Sequence, residues 1–282
     1  MSVTYTAVLP VSEPTVERLT SLLETERRRR GTRAGRRALC CFDQAVLVLR
    51  WFLDAVRVSQ LAVDHGIGKS TCYAYLHEGI DVLADQAPDL GQALWEAYLA
   101  GHEHVSVDGT LIETDRISEP GPTLRKGSSS GRRVDLWWSG KHRHHGGNVQ
   151  VVTVPDGFPI WTSDVRPGRE HDTKALRTHE GVHDAFTGWT SHDLAVLGDL
   201  GYEGQAPLIT TATKTPAGGT LTEEHKTANK AHNTRRALGE RGNALLKTTF
   251  KALRRVTLCP WRIGAITAAA LVLLQLEHRR TA

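Results

Sequence analysis

Two acidic residues each close an apolar, β-branched run and are followed by glycine: Asp108 in VSVDGT and Asp199 in VLGDLGYEG. A carboxylate at the end of a buried strand stands at the rim of a sheet. Two such strands side by side would bring the pair together. Like charges so placed repel unless a cation neutralises them, which fits a divalent metal held by oxygen ligands. A third acid, Glu240, lies in HNTRRALGERGNALLK, with Arg236 four residues before it and Lys247 seven after. Helical steps of four and seven return to one face. Laid across the two strands, such a helix would add Glu240 as the third ligand of a two-metal site. One metal would then activate an attacking oxygen and the other stabilise a leaving oxygen. Arg236 and Lys247 would contact phosphates. The same spacings also describe a solvated helix with i,i+4 charge pairs, and Asp-Gly is a common turn. The residues by themselves leave both readings open.

The elements that must position these residues can be read from periodicity. HVSVDGTLIET alternates and predicts a strand. NVQVVTV and FPIWTSDV flank PDG as a hairpin, and GSSSG, residues 127–131, marks a loop. HDTKALRTHEGVHDAF reads as helical, LAVLGD as a short buried strand ending at Asp199, and PLITTAT as a candidate strand. From about Leu221 to Val256 the pattern is helical, and a last helix starts near Trp261. Antiparallel strands followed by alternating strand and helix predict a mixed α/β sheet with flanking helices.

Residues 14–99 read as helical throughout, which divides the chain into a helical unit over 1–100 and an α/β unit over 101–282. Within the first, VSQLAVDHGIGKSTCYAYLHEGIDVL is broken at Gly66 and Ile67, with GKST ahead of the second segment. Ala62 is small where two helices would cross. This is a helix-turn-helix pattern over about 58–84, whose second helix would present Lys69, Ser70, Thr71, Tyr73 and Tyr75 to a DNA major groove.

The formal net charge of the 282 residues is +4, too small to identify a partner by itself. The distribution says more. RRRRGTRAGRR, residues 27–37, holds seven arginines and no acid, and LRKGSSSGRRVDLWWSGKHRHH forms a second basic stretch. Both suit phosphate contact with release of counterions. Cys40, Cys41, Cys72 and Cys259 show neither zinc-site nor disulfide-framework spacing, which points to a reducing, cytoplasmic setting. The most apolar stretch, Ile263 to Leu276, is shorter than the ~20 residues a membrane span needs. It reads as a helix packed against the main domain.

Taken in order, these stretches resemble the DDE transposases of bacterial insertion sequences, in the group whose catalytic domain has the RNase H-like fold. A helix-turn-helix comes first, then VDGT, then WSGKHRHHGGNVQVVTVPDGFPIWTSDVRPGREHD, similar to the family's hairpin segment with Pro-Gly-x-x-His-Asp. GDLGYEG is similar to Asp-Lys-Gly-Tyr-x-Gly, with Leu200 in place of lysine. Asn233, Arg236, Glu240 and Lys247 reproduce the family's helix spacing. The resemblance covers residues ~44–256. It implies a transposase that binds double-stranded DNA at the element's ends and at a target, cleaves, and joins strands with Mg²⁺ or Mn²⁺ held by Asp108, Asp199 and Glu240. It places Arg236 and Lys247 against DNA phosphates near the scissile bond. It also implies a homodimer or larger synaptic assembly in the bacterial nucleoid, with no membrane role. The alternatives are an inactive, transposase-derived DNA-binding protein and a metal-dependent nuclease that does not join strands.

Other residues compete for the site. Asp172, in GREHD, rivals Asp199 as second acid, and with His171 reads as support at the cleft edge. Asp193 sits at the wrong end of its strand. His142, His144 and His145 resemble a metal cluster in composition only, and fit contact with DNA or solvent better. Trp137 and Trp138 read as packing beneath that loop or as stacking surfaces for a base.

Overall fold

The computed structural model describes residues 8–124 and 131–282, so most of the GSSSG segment lies outside it. Five helices come first: α1 (Glu13–Arg29), α2 (Cys41–Asp54), α3 (Val58–Asp64), α4 (Lys69–Ala84) and α5 (Leu90–Leu99). Their starts follow from local chemistry. Pro14 opens α1, the Cys40 thiol accepts the Asp43 amide at the head of α2, and the Asp89 carboxylate accepts the Gln92 amide at 2.8 Å at the head of α5. Gly66 has φ +62° in the turn between α3 and α4, as the sequence expects of a left-handed position.

Then come β1 (His104–Glu113), β2 (Pro120–Leu124), β3 (Arg133–Asp135), β4 (Trp138–Ser139), β5 (His144–Thr153), β6 (Pro159–Thr162) and β7 (Arg166–Pro167). Next are α6 (Asp172–Arg177), α7 (Val182–Thr190), β8 (Ala195–Leu197), α8 (Glu223–Thr249) and α9 (Ile263–His278). The helix expected over HDTKALRTHEGVHDAF is two helices, because Gly181 takes φ +76° between them. PLITTAT forms no strand of its own; it contributes a parallel bridge, Leu197 to Thr210.

In the main sheet β1 is central. It pairs antiparallel with β5 from Ser106↔Thr153 to Glu113↔Gly146, and parallel with β8 from His104↔Ala195 to Ser106↔Leu197. The far edge of β5 takes β4, β6 and β7. An antiparallel hairpin beside a parallel strand on the other side of β1, with helices on the faces, is the RNase H-like arrangement, preceded here by a helical region.

Helix α8 covers the face of β1 and β5 that carries Ser106, Asp108 and Thr153. It can do so closely because two of its sheet-facing positions are glycine. A Cβ at Gly239 would stand 2.8 Å from Ser106 Cβ and 3.0 Å from Thr153 Oγ1, and one at Gly242 would meet Thr153 Cγ2 and the Gly157 carbonyl. The glycines flank Glu240, so the tight packing also fixes the height of Glu240 above the sheet.

Helix α9 is nearly all buried and packs on α4 and α1 as well as on β6. Glu277 near its end accepts from the Ser12 amide at 3.0 Å and the Ser12 hydroxyl at 2.8 Å. The C-terminal helix therefore ties the helical region to the sheet, and one apolar core runs through both. No helix among the described residues is long and apolar enough to cross a membrane.

Candidate active site

The register Ser106↔Leu197 is the last pairing of β1 with β8. Asp108 and Asp199 lie two residues beyond it in their segments, at the same edge of the sheet. Asp199 caps the short 3-10 turn Leu200–Gln205, accepting the Gly201 amide at 2.8 Å. Helix α8 crosses both strand ends and is fastened at several points along one stripe. His232 Nε2 bonds the Gly198 carbonyl at 3.0 Å, beside Asp199. Asn243 donates to Asp108 Oδ2 at 2.9 Å, and Lys247 Nζ donates to Thr110 Oγ1 at 2.7 Å and to the Leu111 carbonyl at 2.9 Å. With Arg236 and Glu240, these residues recur every three or four positions, so the polar stripe of α8 faces the sheet edge.

Asp108, Glu240, Asn243, Lys247 and His142 line one cleft. Burial pushes the Asp108 carboxyl up from 3.8 to about 6; Arg236 opposes the rise, and Asp199, Asp172 and Glu240 add to it. Asp199, Asp172 and Glu240 are thus within electrostatic reach of Asp108, though not arranged as a cage. Glu240 is 59% exposed and bound to Arg236 at 2.9 Å. Among the described residues no three His, Cys, Asp or Glu side chains are gathered within metal-ligating reach. The donor set nonetheless suits a hard cation. The residues are oxygen donors, the repulsion on Asp108 is what a cation would relieve, and the buried Oδ1 of Asn243 has no hydrogen-bond partner. Mg²⁺ is commonly held by one or two carboxylates, with water and phosphate oxygens completing its shell.

Lys247 gives two of its three ammonium hydrogens to β1, at Thr110 Oγ1 and the Leu111 carbonyl, and burial lowers its proton affinity. Asn233 is exposed beside Leu221 and Lys230, and Leu200 is 47% exposed.

Asp172 sits on the opposite face of β1 from Glu240, pressed against Gly109. A Cβ at position 109 would collide with Asp172 Oδ1, and would stand 2.6 Å from its Cγ and 3.0 Å from Gln150 Nε2. The glycine of VDGT is the opening through which this fourth carboxylate reaches Asp108. Asp172 is held by a buried polar chain: Tyr202 donates to Gln150 Oε1 at 2.5 Å, Gln150 to Asn148 Oδ1 at 2.8 Å, and Asn148 to Asp172 Oδ1 at 2.8 Å. Burial pushes the Tyr202 phenol well above its ordinary range, so it remains a donor. Sequence reasoning passed over Asn148, Gln150 and Asn243. The signals were present: two amides at alternate positions of an apolar strand, and an amide three residues after Glu240 on a helix.

The histidines do not form a cluster. His142 reaches the cleft and is kept neutral by burial and by Lys141 and Lys247. His144 faces Glu113 at 4.0 Å, and His145 lies 3.7 Å from Asp135 and edge-on to Trp138. The tryptophans divide. Trp137 is fully buried, donating to Glu119 at 2.6 Å and packing edge-on to Trp261, while Trp138 is half-buried at the surface of the clefts.

In the helical region, Tyr75 is buried rather than presented; its hydroxyl accepts the Leu39 amide at 3.3 Å and Arg37 lies over its ring. It faces the core because it shares its side of α4 with Cys72, Leu76 and Gly79, which are buried. Lys69, Ser70 and Thr71 are exposed and Tyr73 is half-buried. Part of the arginine run is structural too. Arg27 donates to the Leu39 carbonyl and Gln44, Arg29 and Arg30 pair with Glu26, and Arg37 pairs with buried Glu78.

The sequence profile of the DDE superfamily endonucleases matches residues 107–275. The chain belongs to that family. No curated protein matches it. Among solved structures, the Mos1 mariner paired end complex with Mn is 13% identical, over 93% of this chain and 84% of that chain, with a TM-score of 0.22. The Mos1 strand transfer complex is 12% identical, over 96% and 97%, with a TM-score of 0.23.

Proposed function

We propose that the chain is a DNA transposase that cleaves the ends of an insertion sequence and joins them to target DNA. The observation that supports this most is the polar stripe of α8, which carries Arg236, Glu240 and Asn243 across the ends of β1 and β8, where Asp108 and Asp199 stand. All of it lies within the span matched by the endonuclease family. Residues 1–100 bind DNA through the helix-turn-helix and 101–282 carry the chemistry, with α9 joining the two. Double-stranded DNA is the substrate, in a dimeric or larger synaptic assembly within the bacterial nucleoid.

Asp108, Asp199 and Glu240 would hold Mg²⁺ or Mn²⁺. When bound, the cation neutralises charge at the phosphate and raises the acidity of the attacking oxygen. The chain's own residues do the rest. Asn243 holds Asp108 by Oδ2 at the wall of the cleft. Arg236, half-buried between Asp108 and Glu240, is placed to exchange its carboxylate partner for a phosphate oxygen as Glu240 turns inward. Asp172, aimed by the Tyr202–Gln150–Asn148 chain, keeps the site acidic from the other face of β1.

The test is a strand-transfer assay. Inverted repeats found in the DNA flanking the coding region supply pre-cleaved ends, which are incubated with the protein, Mg²⁺ and a target plasmid. Joined products are expected, and Asp108→Asn should remove them. Cleavage without joining would identify a nuclease, and binding without either a DNA-binding descendant of a transposase.

A further inference from the structure

Asp172 and Asp199 lie on two elements that are fastened to each other. Thr173, next to Asp172, donates its hydroxyl to the Gly201 carbonyl, two residues beyond Asp199. Arg177 donates to the Gly204 carbonyl, and Gln205 Nε2 to the Thr173 carbonyl at 3.4 Å. The start of α6 and the 3-10 turn capped by Asp199 are therefore held as one piece. Between the two carboxylates stands a glycine. A Cβ at Gly201 would lie 2.8 Å from Asp199 Oδ1 and 3.7 Å from Asp172 Oδ2. On the other side, Asp172 Oδ1 occupies the space that Gly109 leaves empty. Two glycines thus make room for one acid. The three aspartates also surround one phenol: burial raises the proton affinity of Tyr202, and Asp172, Asp108 and Asp199 add to it in that order.

Little on the protein offsets this crowding. Asn148 donates to Asp172 Oδ1 at 2.8 Å and so aims the carboxylate. Oδ2 accepts no hydrogen bond among the described residues, not even from an amide of its own helix, and pairs only with Lys141 at 3.8 Å. The Lys141 side chain is largely exposed, and a pair so long and so open contributes little. Carboxylates brought together without a cation repel. Fasteners that hold Asp172 beside Asp199 therefore oppose the electrostatics, and a bound cation would reverse the balance. Mg²⁺ and Mn²⁺ suit the position, since they take oxygen donors, and Mg²⁺ completes its shell with water where the acids leave gaps.

We infer that Asp172 is a further ligand of the divalent cation, holding it together with Asp199 through Oδ2, and that Asn148, Gln150 and Tyr202 are positioning residues that aim it. The inference rests on the proposed cation site of Asp108, Asp199 and Glu240 and adds a residue to it.

The test measures cation binding rather than catalysis. Mn²⁺ uptake by the full chain, without DNA, is read from the loss of the free ion's electron paramagnetic resonance signal. Thermal unfolding in EDTA is recorded on the same preparations. Asp172→Asn keeps the shape and removes the charge, so it should unfold no earlier than the unaltered protein in EDTA, yet weaken Mn²⁺ uptake by more than roughly tenfold. Asn148→Ala separates a ligand from a nearby charge. It leaves the charge of Asp172 in place and frees its direction, and should weaken uptake by roughly 10- to 100-fold, as loss of an orienting partner does. Uptake by Asp172→Asn within about twofold of the unaltered protein's, well inside that range, would overturn the inference. So would full uptake by Asn148→Ala, which would reduce Asp172 to a source of negative charge. Asp108→Asn serves as the reference. If it loses Mn²⁺ while Asp172→Asn keeps it, this inference falls and the proposed cation site stands. If both variants lose Mn²⁺ and the unaltered protein joins no strands, the inference stands and the transposase reading falls. An unaltered protein that takes up no Mn²⁺ would overturn both the proposed cation site and the addition to it.

Discussion

Asn243 and Asp108 are joined by a 2.9 Å hydrogen bond that spans 135 residues of sequence and pins α8 to the central strand. The amide donates, so it favours the charged carboxylate and holds it in place. A hydrogen bond to a charged group is worth about 1.5–3 kcal/mol. If that bond aims Asp108, Asn243→Ala should slow single-turnover cleavage of a pre-bound DNA end by about 10- to 100-fold. A rate within twofold of the unaltered protein's would show that Asp108 needs no such support.

The raised proton affinity of Asp108 makes a prediction about stability. Its carboxyl titrates at about 6 in the fold against 3.8 when unperturbed, with burial as the leading cause. The fold favours the protonated form. That contribution to stability is full below pH ~4 and is lost as pH rises through 6, about two units or ~3 kcal/mol in all. In EDTA, Asp108→Asn should therefore be more stable than the unaltered protein at pH 7.5 and nearly equal to it at pH 4. Denaturant unfolding at the two pH values measures this, and a constant difference would mean that burial of Asp108 is not what the mutation relieves. Added Mg²⁺ should stabilise the unaltered protein and leave Asp108→Asn almost unmoved.

Much of this architecture was legible in the sequence because it follows from period and punctuation. The alternation of HVSVDGTLIET, the apolar LAVL run and the long helical stretch before Val256 all appear as β1, β8 and α8. What was not legible depends on faces meeting across the fold. Asp172 reads locally as a helix-start acid, and only the pairing Gly109↔Gln150 puts it beside Asp108. Lys247 shares a helical face with Glu240, but spacing cannot say whether that face meets phosphate or the Leu111 carbonyl. Tyr75 and Arg37 look like surface residues until buried Glu78 is set opposite them.

Gly109 tests that cross-face relationship directly. Gly109→Ala puts a methyl where Asp172 Oδ1 now lies, and Asp172 is short and held by Asn148. Overpacking of this kind costs ~1–3 kcal/mol. The expected result is a modest loss of thermal stability with a large loss of cleavage. Combining it with Asp172→Ala should recover the stability, because the collision is gone. Failure to recover would place the strain in the β1 backbone.

DNA-end recognition should separate from general affinity in the helical region. Lys69 and Thr71 are exposed at the start of α4, so replacing them should reduce discrimination between the cognate end and random DNA, by roughly 1–3 kcal/mol for each base they read. Arg33 and Arg36 are exposed, whereas Arg27 and Arg37 are bound into the fold. Neutralising Arg33 and Arg36 should weaken both kinds of binding equally and flatten the salt dependence. Arg37→Ala should instead lower thermal stability, since it strips a partner from buried Glu78. Titrations of both DNAs at several salt concentrations distinguish these outcomes, and a specificity change in the Arg33 and Arg36 variant would assign base recognition to the arginine run.

Arg236 and Lys247 share a helix face but should fail in different ways. Lys247 gives two hydrogen bonds to β1 from a half-buried position, so Lys247→Ala should cost about 1–3 kcal/mol of stability as well as activity. Arg236 pairs with a Glu240 that is 59% exposed, and such a pair is worth only ~0–1 kcal/mol. Loss of that pair should barely alter unfolding, so any stability change in Arg236→Ala should come from withdrawing the cation that offsets the buried Asp108 carboxylate. If Arg236 meets the scissile phosphate, its loss falls on the transition state, at about 2–4 kcal/mol or roughly 30- to 1,000-fold in rate. Arg236→Lys should also be slow, because a guanidinium can bind two phosphate oxygens and an ammonium cannot. Single-turnover cleavage and thermal unfolding, measured on the same preparations, separate the two residues. A stable Lys247→Ala with near-native rate would show that α8 is held by its other bonds to the sheet, and a fast Arg236→Ala would return that arginine to the role of a surface partner for Glu240.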